Sequence, residues 1–131
     1  MTNPASSDHW RALLHETHAV QQLSDQLTRQ TVHNGVVDEP LQRSYLVRRA
    51  VLADRADSLQ KDTTFAINSE VDADLAARHL LDWDREHDTS RGLVPAADPC
   101  WDTHPRHYVH QEHAVLAHNN QRGDPDQHRP A

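Results

Sequence analysis

Apolar side chains recur along this chain with the period of an α-helix. Between Ser7 and Thr31, Trp10, Leu13, Leu14, Thr17, Val20, Leu23 and Leu27 share one side of a wheel turned by about 100° per residue. Ser6, Ser7 or Asp8 can cap the start of this helix with a side-chain oxygen. It breaks in VHNGVVDEP, where Asn34-Gly35 reads as a turn. A second helix is predicted over Glu39–Lys61, with Asp38 as N-cap and Pro40 in its first turn. Its apolar residues occupy three sides. Leu41, Tyr45, Leu52, Ala56 and Leu59 make one stripe, Val47 and Val51 lie on another, Leu46 and Ala53 on a third. A helix apolar on several sides is central in its bundle or contacts a second chain.

DTTFAINSE then reads as a connector, with Phe65 and Ile67 covering an end of the core. A third helix is predicted over Glu70–His87, capped by Asn68 or Ser69, with Glu70, Asp72 and Asp74 suiting the positive end of its dipole. Ala73, Ala76, Leu80 and Trp83 form its stripe, widened by Ala77 and Leu81. Gly92, Pro95 and Pro99 make DTSRGLVPAADPCWD a loop. The last helix spans Pro105–His118, and Pro105 holds His104 out of helical geometry.

The expected architecture is all-α: a three-helix up-and-down bundle with a short fourth C-terminal helix laid across it. Residues 1–118 form one helical domain, and polar residues 119–131 form a disordered tail. A helical homodimer completing a larger bundle is the alternative, because the second helix has more apolar surface than a lone three-helix bundle needs.

Composition narrows the function. The chain has 131 residues, a net charge of -7 and a mean hydropathy of -0.87. Of the 13 basic residues only Lys61 is lysine. The negative balance makes nucleic acid an unlikely partner, since phosphate binding needs a surplus of Lys and Arg. No apolar run approaches the roughly 20 residues of a membrane span, and the N-terminus lacks the regions of a signal peptide, so a cytoplasmic protein is expected. A single cysteine, Cys100, excludes an internal disulfide. Protonation of the 12 histidines in mild acid would reverse the sign of the net charge.

THPRHYVHQEHAVLAH, residues 103–118, concentrates the candidate chemistry. His107, His110 and His113 fall three apart, a pattern that invites Zn²⁺ or Ni²⁺. Each three-residue step drifts by about 60°, so the three imidazoles fan across a helix face. Tyr108, Val109, Val115 and Leu116 occupy the opposite side, with Glu112 among them. A di-iron bundle would need Glu-x-x-His pairs, and none exists; Asp84 with His87 is the nearest fragment. His87 itself reads as a partly buried histidine at the negative end of its helix. Arg43, Arg48, Arg49 and Arg55 are expected to pair with acidic faces of the first and third helices. Cys100 is expected to help Trp101 pin its loop. No phosphate-binding loop, HExxH or serine-nucleophile elbow is present.

These readings favour a non-enzymatic helical accessory, adaptor or structural subunit acting through protein–protein contacts, with a protein partner or a homo-oligomer. Leu46, Val47, Val51, Tyr108, Val109, Val115 and Leu116 are the candidate interaction surface. A metal-binding protein using His107, His110 and His113 is the first alternative. A small DNA-binding regulator using the arginines of the second helix is the second.

Overall fold

A computed structural model describes residues 4–59 and 66–127, the side chains of 4–7, 9, 66–68 and 119–127 excepted. Four helices account for most of it: α1 (Pro4–Asn34), α2 (Glu39–Leu59), α3 (Ala66–His87) and α4 (Pro105–Gln127), with a 3-10 turn at Pro99–Trp101. The described residues contain no strand. No helix among them is long and apolar enough to cross a membrane.

Local chemistry sets the helix ends. Gly35 takes φ 76° and its N–H donates to the Thr31 carbonyl at 2.8 Å. A Cβ is strained in that left-handed conformation, so glycine is the natural stop for α1. Asp38 caps α2: its Oδ1 accepts from the Leu41 N–H at 3.1 Å. Asp88, at φ 54°, closes α3 as the Thr89 N–H donates to the Asp84 carbonyl at 3.3 Å. Pro105 opens α4, leaving exposed His104 outside the helix.

Two boundaries differ from the sequence pattern. α3 begins at Ala66, so Asn68 and Ser69 lie within its first turn rather than capping it. α4 continues past His118 to Gln127, because a polar sequence prolongs a helix without leaving an apolar mark. Residues 128–131 of the expected disordered tail lie outside the described residues, as do Phe65 and the Ile67 side chain.

α2 is the central element and packs against α1, α3 and α4. Its three apolar sides thereby each find a neighbour inside one chain. Leu46, Val47 and Ala50 enter a core with Ala76, Ala77, Leu80 and Leu81 of α3 and Tyr108 and Val109 of α4. The alanines let the backbones of α2 and α3 approach closely, and this is the most extensive helix pair. α1 is the peripheral helix, packed chiefly on α2, whereas the sequence pattern puts the C-terminal helix in that position. Its seam is narrow: Leu13, Val20 and Leu27, seven apart, are its buried residues. Arg48 of α2 reaches Glu16 of α1 at 3.2 Å beside that seam.

The α3–α4 loop is a plug rather than a slack connection. Trp101 is buried, stands edge-on to Tyr108 at 5.3 Å, and donates its indole N–H to the Pro95 carbonyl at 3.0 Å. Ala96 is buried beside it, and Arg85 holds the Ala96 carbonyl at 2.7 Å and the Asp102 carboxylate at 2.8 Å.

Candidate interaction surface

The proposed surface residues turn out to be mostly interior. Leu46, Val47, Tyr108 and Val109 are buried in the single-chain core, and Val51 and Leu116 pack against it. Val115 is half-buried on the same helix. The apolar surplus of α2 is consumed by α1 and α4, so these seven residues do not form an outward patch.

The polar core decides why α4 sits where it does. Arg43 of α2 forks onto Asp84 of α3, with Nε to Oδ1 at 2.8 Å and Nη2 to Oδ2 at 2.9 Å. Nη2 also donates to Glu112 of α4 at 2.7 Å. Both carboxylates are almost fully buried, Asp84 at 1% and Glu112 at 3% exposure. The Tyr108 hydroxyl and the Thr89 hydroxyl, the latter at 2.6 Å, donate to Asp84. Glu112 accepts from the backbone N–H groups of Arg91 and Gly92 at 2.7 and 2.8 Å. Among the described residues no buried side-chain nitrogen or oxygen lacks a partner.

Burial alone would raise the Asp84 carboxyl, but hydrogen bonds from Arg43, Thr89 and Tyr108 outweigh it and hold the group below its usual range. Burial and the neighbouring Asp84 push the Tyr108 hydroxyl well above the ordinary tyrosine value. Arg43 would be lowered by burial, yet the bonds and charge of Asp84, with Glu112, raise it further. Every group here is saturated by another, which makes the network a clamp joining three helices and a loop. It offers no free base or nucleophile.

The histidines at the start of α4 gather in one cleft, and His113 lies apart from them. His104 and His107 stack at 4.9 Å in a polar cleft of about 380 Å³, across from Glu70, Asp74 and Arg78 of α3. His110 lines the same cleft, its ring 6.2 Å from that of His107, and contacts Asp54 of α2 at 3.0 Å. That carboxylate is also held by Arg106, which bridges Asp54 and Asp57. Burial would raise Asp54, but the Arg106 and His110 bonds lower it. His113 sits near Arg55 and Glu16, where burial and then Arg55 hold its imidazole below its ordinary value. Among the described residues no three His, Cys, Asp or Glu side chains are arranged to hold a metal ion. His107 and His110 share one cleft, while His113 lies nearer Arg55 and Glu16.

The remaining sequence candidates also have structural positions. His87 stacks on Trp83 at 3.8 Å, and its Nδ1 lies 2.9 Å from the Trp83 carbonyl oxygen. Arg48 pairs with Glu16 of α1 as expected, and Arg49 lies 3.1 Å from His79 of α3. Cys100 is exposed and does not share the packing of Trp101. Partial desolvation and the Asp98 and Asp102 carboxylates push its thiol up, which disfavours a nucleophilic role.

What remains exposed and apolar lies mostly on α1 and at its end. Leu14 is 67% exposed and Val32 80%, and Trp10 is exposed on the same helix. Val36 and Val37 extend the apolar end into the α1–α2 turn. Val71 and Leu75 form a smaller pair on α3. An apolar groove of about 380 Å³ runs beside α1, with Leu13 and Leu59 in its walls. Sequence reasoning placed Trp10 and Leu14 on the core side of α1; the narrow seven-residue seam leaves them at its margin. Comparison with known proteins returns no match: no family model, no curated protein and no solved structure matches this chain.

Proposed function

We propose that this chain is a non-enzymatic helical accessory or structural subunit that works through protein contacts, and that α1 carries the contact. The observation supporting this is that α1, which uses only a narrow seam to hold the bundle, leaves Trp10 and Leu14 exposed toward one end and Val32 at the other. Scattered exposed apolar residues are ordinary. Their gathering at the two ends of one peripheral helix is less so, since water contact with a Leu or Val side chain forgoes about 1.5–3 kcal/mol that burial would supply. The buried ionisable groups are engaged with one another, and this too favours a structural role over a reactive one.

The competing readings have less behind them. Arg43 and Arg48 are engaged by Asp84, Glu112 and Glu16, which takes two of the four arginines of α2 away from a phosphate-binding face. Among the described residues no three His, Cys, Asp or Glu side chains are arranged to hold one ion, which leaves metal binding with less support.

A photo-crosslinking residue placed at position 14 or 32, with position 22 as the control on another side of α1, tests the reading in the native cell. Discrete adducts at 14 and 32 and none at 22 are expected. Absence of adducts from all three positions overturns it.

A further inference from the structure

The corner between α1 and α2 holds a reactive dipeptide. Asn34 is the last residue of α1 and Gly35 follows it; Asn34 alone among the asparagines precedes a glycine. Both residues are exposed, and a Cβ placed at Gly35 would meet nothing within 4 Å. The Gly35 nitrogen therefore has no side chain of its own beside it and no neighbour from the fold crowding its residue. Attack by that nitrogen on the Asn34 side-chain carbonyl carbon closes a succinimide ring.

Two features of the fold hold the ring open. The Gly35 N–H is committed to the Thr31 carbonyl at 2.8 Å, the bond that ends α1. Asn34 is helical, and a helical ψ turns the following nitrogen out of line with the side-chain carbonyl. Fraying of the last turn of α1 releases both together, and helix ends open at the least cost.

We infer that Asn34–Gly35 is a site of spontaneous backbone modification, gated by opening of the last turn of α1. In the open turn the Gly35 nitrogen gives its proton to solvent base and bonds to Asn34 Cγ, and the side-chain nitrogen leaves as ammonia. Water then adds to one of the two ring carbonyls and breaks its bond to nitrogen. Cleavage at the side-chain carbonyl leaves aspartate. Cleavage at the backbone carbonyl leaves isoaspartate, with the chain rerouted through the Asn34 Cβ. Either product sets a carboxylate at the negative pole of α1, where an anion is disfavoured, beside exposed Val32, Val36 and Val37. Isoaspartate also lengthens the backbone just ahead of the Asp38 cap of α2. The reaction is independent of whether α1 carries a protein contact.

Incubation of the whole chain in mildly alkaline buffer, folded and in urea, followed by tryptic mapping, tests this. Residues 30–43 form one tryptic peptide in which Asn34 is the sole asparagine. Mass spectrometry reads the exchange of amide for acid there, and isoaspartate-specific methylation reads the rerouted linkage. Hydrogen exchange at the Gly35 amide measures opening of the same turn independently. The folded chain is expected to react more slowly than the chain in urea by on the order of tenfold, as for a helix end rather than a core. The protection of the Gly35 amide is expected to be of the same order as that ratio. Leu27→Ala, which weakens the buried seam of α1 toward this end, is expected to raise both rates while circular dichroism stays helical.

A peptide 30–43 that stays unchanged in urea overturns the site. Equal rates in the folded and unfolded chain overturn the gate, as does a folded chain that stays unmodified while its Gly35 amide exchanges freely. These comparisons use the wild-type chain alone. A folded Leu27→Ala chain with faster Gly35 exchange and no faster modification also overturns the gate.

Discussion

Replacing Arg43 by methionine removes the only cation within ion-pair distance of Asp84 and Glu112 among the described residues. The carboxylates keep neutral donors: Thr89 and Tyr108 for Asp84, the N–H groups of Arg91 and Gly92 for Glu112. What they lose is the counter-charge and three charge-assisted bonds. Methionine fills much of the space vacated, so cavity formation is a minor part of the cost. Stripping one partner from a buried ionic cluster costs about 3–5 kcal/mol. Domains of this size hold only about 5–15 kcal/mol in total, so the variant stands near the edge of folding. Urea denaturation at neutral pH measures the difference directly.

The pH dependence gives a second reading of the same perturbation. In the wild type the folded Asp84 pKa is depressed. Its contribution is therefore present above its unfolded value, near about 3.9, and is lost as pH falls through the lower folded value. In Arg43→Met the balance reverses, since burial without a cation favours the neutral acid. The variant is thus most destabilised at neutral pH, and the gap to wild type narrows as the solution is acidified. A loss under about 1 kcal/mol at neutral pH, unchanged at pH near 4, would refute the reasoning, because it would mean that the carboxylates are hydrated.

Other outcomes follow from the same contacts. Tyr108→Phe deletes one donor to a buried carboxylate and is expected to cost about 1.5–3 kcal/mol in the same denaturation assay. Tyr108 itself is expected to stay protonated in the folded protein, contributing no tyrosinate absorbance until alkaline unfolding. A Cβ at Gly92 would collide with the Gln111 side chain, which is held by the Val94 carbonyl and the Val94 N–H. Gly92→Ala is therefore expected to displace Gln111 at about 1–2 kcal/mol and to speed amide hydrogen exchange at Val94. Cys100 is expected to alkylate more slowly at pH 8 than a free cysteine despite its exposure, because its thiol is pushed up; the same or a faster rate would contradict that.

Much of the helical architecture is legible in the order of residues. Local rules suffice for the Asp38 cap, the Gly35 stop and the Pro105 start, because each acts within one turn of the chain. The opposition of Tyr108 and Val109 to His107 and His110 on α4 is likewise a matter of period. Two charged residues could also have been marked in advance. Asp84 continues the stripe of Ala77, Leu80 and Leu81, and Glu112 lies on the apolar side of α4, and an acid on a core face needs a buried partner.

Tertiary structure alone named that partner. Arg43 is 41 residues from Asp84 and 69 from Glu112, and nothing in their spacing couples them. An apolar stripe states that a face must be covered but not by which helix. The three sides of α2 were open to a second chain until α1, α3 and α4 filled them. The same ambiguity made α4 look peripheral, when its tyrosine and glutamate anchor it to the centre and α1 is the helix left outside. Which apolar residues stay in water is settled last, after every helix has chosen its neighbours, and so Leu14 and Val32 become visible as a surface only in the folded chain.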